Sequence, residues 1–194
     1  TPARQLDILR RLQRILEEGG FVATYKLALL QSLADISVEH ATAQDGSLRV
    51  SLNEIAEKAI TYYWRQTAPF TEGLANAGVL RQNTHGQAAI VTAIGKARLR
   101  CGGNLAVYRA DLKAWSRLVR KIAGIIKGDP LTRLQSVSRE VDEFLYRRAD
   151  FLHESILLLP GVADTLRSFH GLITHLIRGS WVDQVRRIGA NRDL

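Results

Sequence analysis

Leu6, Leu9, Leu12 and Ile15 recur at three-residue steps, an apolar stripe along one helix that Gly19-Gly20 ends. A second helix is expected from about Ala23 to Glu39, with Tyr25, Leu27, Leu29, Leu30, Leu33 and Ile36 as its apolar positions. Asp45-Gly46 marks a turn within a loop over Ala43–Arg49. Ser51-Leu52-Asn53-Glu54 has the form of a capping box, in which the Ser hydroxyl takes a free helix amide and the Glu reaches back. The helix it opens runs through Ile55, Ala59, Tyr62 and Tyr63 to about Gln66, and Pro69 follows its end.

Residues 69–86 read as loop, rich in Gly, Asn and Thr, before a helix over Gln87–Arg100 that Gly102-Gly103 terminates. Asp111 can cap a further helix through Trp115, Leu118, Ile122 and Ile125, closed by Gly128 and Pro130. From Pro130 to Pro160 the helical period weakens. Leu131–Val137, Glu143–Tyr146 and Ser155–Leu159 read as strands of a small wing-like sheet. Pro160 then precedes one long final helix, Val162 to Ile188. The expected architecture is mainly α with a small β element. Residues 1–190 form a single helical domain, and residues 191–194 begin a linker.

Composition excludes several classes. With 46% apolar and 24% charged residues in 194, the chain is neither disordered nor membrane-spanning. No apolar run reaches the roughly 20 residues that a bilayer requires, and no signal-like segment opens the chain. One cysteine, Cys101, rules out a disulfide framework and agrees with the cytoplasm. The absence of Met is expected for a chain processed, trimmed or cut from a longer protein.

Charge sharpens this picture. The net charge is +8, and it is concentrated: residues 81–121 hold nine basic side chains and only one acid, Asp111. A basic stretch of that density points to a polyanion, because Lys and Arg neutralise phosphates and release counterions. A membrane surface is a poorer fit, since the stretch lacks the Trp, Phe and Leu face of an interfacial helix. The adjacent polar run Arg81-Gln82-Asn83-Thr84-His85-Gly86-Gln87 can offer backbone amides and side-chain donors to phosphate. Arg81, Gln82 and Asn83 can also pair with base edges. Lys96, Arg98, Arg100, Arg109 and Lys113 extend this candidate DNA-binding set.

No catalytic constellation is present. His40, His85, His153, His170 and His175 are scattered, and none pairs with Cys101 at metal-ligand spacing. His170 and His175 are five apart and do not share a helix face well. Asp111-Leu112-Lys113 has the acid-x-lysine form of some metal-dependent nucleases, but without an upstream acid its position favours capping. Tyr62-Tyr63-Trp64-Arg65-Gln66 closes a helix. Tyr62 and Trp64 cannot both face one way there, which favours core packing for part of that cluster.

Several ordered blocks resemble the N-terminal region of bacterial HNH endonucleases. They are Thr24-Tyr25-Lys26-Leu27-Ala28-Leu29-Leu30, Leu33-Ala34-Asp35, Val38-Glu39, Ile55-Ala56-Glu57-Lys58, Tyr62-Tyr63-Trp64, Leu80-Arg81-Gln82-Asn83, Gln87-Ala88-Ala89-Ile90, Phe144-Leu145-Tyr146, Leu159-Pro160-Gly161-Val162 and Trp181-Val182. In that family an HNH nuclease domain with a divalent metal follows the helical region, which places it beyond Leu194. The chain itself is then expected to be non-catalytic and without a cofactor. Tyr25-Lys26 and Pro130–Gln135 ahead of Phe144-Leu145-Tyr146 are more distantly similar to sulfur-binding domains that recognise phosphorothioate DNA, although Thr132 stands where that pattern often has an aromatic. The resemblance implies a recognition domain of a restriction or defence endonuclease that binds double-stranded DNA, with Tyr25, Lys26, Tyr62 and Trp64 lining a pocket for a modified site. The alternative is a non-enzymatic dimerisation or protein-interaction module whose seam is Leu166, Phe169, Leu172, Ile173, Leu176 and Ile177 on the last helix.

Overall fold

The computed structural model describes residues 2–18, 23–69, 78–137, 140–151 and 154–191. Its elements run α1 (Pro2–Glu18), α2 (Tyr25–Glu39), β1 (Leu48–Ser51), α3 (Leu52–Gln66), α4 (Ala89–Leu99), α5 (Leu105–Ala110), α6 (Leu112–Lys127), α7 (Asp129–Arg133), β2 (Ser136–Val137), β3 (Glu140–Val141), β4 (Ser155–Leu158), α8 (Val162–Ser168) and α9 (His170–Arg187). The molecule is mainly helical with a small β component, as the periodicity indicates. Among the described residues no helix is long and apolar enough to cross a membrane.

α2 is the centre. A helix that is apolar all round must be buried all round, and α2 is covered by α3, α7, α8 and α9. Leu27, Leu29, Leu30, Leu33 and Ile36 are each at most 2% exposed. The hydroxyls of Ser32 and Ser37 survive in this core because they donate to the carbonyls of Ala28 and Leu33, one turn back. At the start of α3, Ser51 Oγ accepts from Asn53 N at 3.2 Å. The other half of the expected capping box is not made: Glu54 turns away to bond His40.

The β component differs from the sequence reading. β4 lies where a strand is expected, but it pairs antiparallel with β1, whose first two residues fall in the expected loop. The register Leu48↔Leu158 and Val50↔Ile156 puts four apolar side chains inward and Arg49 outward. Leu131–Val137 is not one strand: Pro130 supports the first turn of α7, and only Ser136 and Val137 pair, with Val141 and Glu140. Glu143–Tyr146 is not a strand either. Its backbone is held by Gln135, whose buried amide accepts from Leu145 N at 2.6 Å and donates to Tyr146 O at 2.9 Å. Side-chain bonds thus replace a sheet ladder there.

The expected single helix over Val162–Ile188 is broken at Phe169 into α8 and α9. A straight helix of that length would run about 40 Å, well past the end of α2. The break lets both halves pack on α2. The sequence reading also lacks α5, capped by Asn104, whose side chain accepts from the amides of Ala106 and Val107. Asn191, expected in a linker, is folded instead: its side chain accepts from Arg81 N at 2.7 Å and donates to the carbonyls of Arg81 and Val185. Residues 192–194 lie outside the described residues.

Candidate nucleic-acid interface

The basic segment becomes a face through α6. Asp111 opens this helix by accepting from Ala114 N at 3.0 Å, so the acid of Asp111-Leu112-Lys113 is a cap. Leu118, Val119, Ile122 and Ile126 bury one side, against α3 and α4. Lys113, Arg117, Arg120 and Lys121 then fall on the other side at i, i+4, i+7 and i+8, and all are exposed. None of the four is in an ion pair among the described residues; Arg120 touches only the Ser116 carbonyl of its own helix, at 3.4 Å. From Lys113 to Lys121 the row spans about 12 Å, the rise of three to four phosphates along one DNA strand at about 3.4 Å each. Exposed Gly124 continues the same face without a side chain.

The other expected DNA-binding residues divide. Lys96 and Arg100 are exposed and without a partner among the described residues. Arg98 is half-buried, its guanidinium reaching the carbonyls of Gly103 and Trp64 at 3.3 and 3.4 Å, and so ties α4 to the end of α3. Arg109 is exposed but engaged, donating to Thr61 Oγ1 at 2.7 Å and lying 4.9 Å above the Trp115 ring.

The Arg81–Gln87 run is mostly structural. Gln82 is 1% exposed and cannot reach a base edge. Its Oε1 accepts from Thr24 Oγ1 at 2.9 Å and from Trp181 Nε1 at 3.0 Å. Because Thr24 donates there, the Tyr63 hydroxyl must donate to Thr24, at 2.8 Å. Gln87 bonds Gln82 N and Leu80 O, and Asn83 Oδ1 accepts from His85 N at 3.1 Å. This run therefore staples the starts of α2 and α4 to α9. Arg81, Thr84 and His85 keep exposed side chains.

Tyr25, Lys26, Tyr62 and Trp64 do not share a cavity. Tyr25 lies beside Asp129 and Arg133 of α7, and burial, with Asp129, pushes its hydroxyl upward in pKa. Lys26 is 6% exposed and donates to Ser136 O at 2.8 Å; burial, with Arg133 nearby, lowers its pKa. Trp64 is 3% exposed, its indole donating to Gly103 O at 2.7 Å and its ring packed on Tyr108. Of the four, Tyr62 lines a cavity.

That cavity, of about 720 Å³, is built by α2, α3 and α9. Asp35 accepts from Tyr62 OH at 2.5 Å, from Gln31 Nε2 at 2.7 Å, and bonds His170 Nε2 at 2.7 Å. Burial pushes the Asp35 carboxyl up, but the bonds from Tyr62, His170 and Gln31, with the His170 charge, outweigh it and hold it below its ordinary value. Burial and the Asp35 bond drive the Tyr62 hydroxyl strongly upward. The cluster was invisible in the sequence because its members lie on three separate elements. His175, by contrast, is exposed; His153 lies outside the described residues.

Glu39, His40 and Glu54 also converge, their ligand atoms within 4.8 Å of one another. The group is surface-lying, and Lys58 bonds Glu39 while His40 bonds Glu54. Cys101 is half-buried with its thiol on the Arg98 carbonyl at 3.3 Å.

Residues 5–194 match the family model described as Domain of unknown function (DUF8808), and the chain belongs to that family. No curated protein and no solved structure matches it.

Proposed function

We propose that this member of the DUF8808 family binds double-stranded DNA through the exposed face of α6, as the recognition domain of an HNH-type restriction or defence endonuclease. The observation that carries the reading is the row Lys113, Arg117, Arg120 and Lys121, four cations on one helix face with no carboxylate bound to any of them among the described residues. Protein ion pairs elsewhere, such as Arg11 with Asp142 and Arg167 with Asp164, show cations that are already matched. The α6 row is left to an outside anion. Lys96 of α4, which packs on α6, and Arg100 just past its end add charge. The nuclease context rests on the ordered sequence blocks.

The test is titration of duplex DNA at increasing salt. Log affinity should fall with log salt at about −0.9 per phosphate neutralised. Arg117→Glu with Lys121→Glu should abolish binding while leaving the fold intact, because both residues are exposed. No binding at low salt sinks the reading. Comparison of plain, methylated and phosphorothioate duplexes then decides whether a modification is read.

A second reading, association with another copy of the chain, has one observation in its favour. Leu6 of α1 and Leu172 and Leu176 of α9 are 55%, 54% and 44% exposed around a groove of about 230 Å³. A dimer by light scattering that Leu172→Glu dissolves, together with no DNA affinity, would favour it.

A further inference from the structure

We propose that the cavity between the ends of α3 and α9 binds a small organic anion, its carboxylate or phosphate head held by Arg65 and Arg186 and its apolar body lying along Trp181. The proposal does not rest on the DNA-binding face, since no residue of α6 lines this cavity.

The space is about 550 Å³, within the range of small-molecule sites. Among the described residues its lining carries two charged side chains, Arg65 and Arg186, and no carboxylate. Both are exposed, and neither side chain has a partner among the described residues. Two like charges brought to one cavity repel each other. An anion between them replaces that repulsion with two attractions, and a planar guanidinium presents paired N–H donors that fit a carboxylate or phosphate.

Helix capping does not use these two cations up. Arg65 lies in the last turn of α3 and Arg186 in the last turn of α9, where free carbonyls favour positive charge. Other groups already meet carbonyls at both ends. Thr67 Oγ1 donates to Trp64 O at 2.8 Å, Ala68 N to Arg65 O at 3.2 Å, and Asn191 Nδ2 to Val185 O at 2.8 Å. The guanidinium donors are left over.

The rest of the lining calls for an apolar body on that anion. Trp181, Leu80, Pro69, Val182 and Val185 form its walls. The Trp181 ring is fixed by its indole bond to Gln82 and by an edge contact with Tyr63 at 5.2 Å, so little ordering of this wall remains on binding. Gln82 and Asn191 also reach the lining, but their side chains are engaged within the fold. The larger cavity of about 720 Å³ shares Trp181 and Val182 and gives a longer body room to extend. Its own carboxylates are taken, Asp35 by Tyr62, Gln31 and His170, and Glu39 by Lys58. Arg178 on its lining is a third exposed cation without a partner among the described residues.

The experiment titrates naphthoate and naphthyl phosphate into the full chain by calorimetry at low salt, with naphthamide as the uncharged control. At least one anion should bind at a Kd of about 1 mM or tighter, and naphthamide should bind about tenfold more weakly. The tighter of the two anions identifies the head group, carboxylate or phosphate. Arg65→Ala and Arg186→Ala, both at exposed positions, should each weaken binding about tenfold while leaving the thermal melt unchanged. Val182→Glu, at a wall position that is 50% exposed, should abolish it by setting a carboxylate in the anion's place. Arg117→Glu with Lys121→Glu should leave it unchanged, which separates this site from the DNA face. Failure of both anions to bind overturns the proposal, as does naphthamide binding as tightly as the anions. Binding that neither arginine substitution weakens, or that the α6 double variant removes, overturns it as well.

Discussion

Asp35 on α2 and His170, 135 positions later at the first residue of α9, share a hydrogen bond of 2.7 Å between Oδ1 and Nε2. The contact exists because the helical run breaks at Phe169, so that α9 begins beside the middle of α2. With Tyr62 and Gln31 on the same carboxylate, it joins α2, α3 and α9 around one anion.

Asp35→Asn should therefore destabilise the chain by about 1–3 kcal/mol near neutral pH, the usual cost of stripping a partly buried hydrogen-bonded charge. The sign of its pH dependence follows from a folded-state pKa lower than the ordinary 3.8. The stabilisation is present above that value and is lost as pH falls below it toward the folded-state pKa. Urea unfolding of both proteins from neutral pH down to about pH 2 should show the gap narrowing over that window. A gap constant across it would refute the assignment.

Gln82 and Arg81 are neighbours with opposite expected phenotypes. Gln82→Ala removes the acceptor shared by Thr24 and Trp181 and should cost about 1–3 kcal/mol, with altered Trp fluorescence. Arg81→Ala leaves the backbone bonds to Asn191 in place and should change stability by no more than about 0.5 kcal/mol. Thermal melts of the two variants decide this. Equal stability loss would show that the run does not staple α2 to α9.

Gln135→Ala strands Leu145 N and Tyr146 O inside the molecule. Each orphaned backbone group should cost about 1–3 kcal/mol. Gln135→Glu is the informative partner, since it keeps the acceptor for Leu145 but loses the donor to Tyr146 and buries a charge. Denaturant titration should find both variants well below the parent, and a neutral Gln135→Ala would contradict the account of this segment.

Gly124 sits inside α6 on its exposed face, where an added Cβ meets nothing within 4 Å. Gly124→Ala should raise stability by about 0.5–1 kcal/mol through helix propensity alone. Gly124→Glu should weaken DNA binding and flatten its salt dependence, because it places an anion among the cations of the row. Melting curves check the first expectation and duplex titrations the second.

What the sequence determined is local. Apolar spacing placed α2 and α3 nearly to their ends, Asp111 was readable as a cap, and the charge excess of residues 81–121 was countable before any coordinate. These features arise within a few turns of helix, where i, i+3 and i+4 neighbours are set by the chain itself. The apolar row assigned to the last helix was only half a core: Leu166, Ile173 and Ile177 are buried, while Leu172 and Leu176 face outward. Tertiary structure decided the rest. It paired β1 with β4 across more than half of the chain, bent the last helix at Phe169, and turned Gln82 from an expected base reader into a buried acceptor. It also separated Tyr25 and Lys26 from Tyr62, and assembled Asp35, Tyr62 and His170 around a cavity. Each of these depends on which distant surfaces bury one another, a choice made by the whole core and carried by no single stretch of sequence.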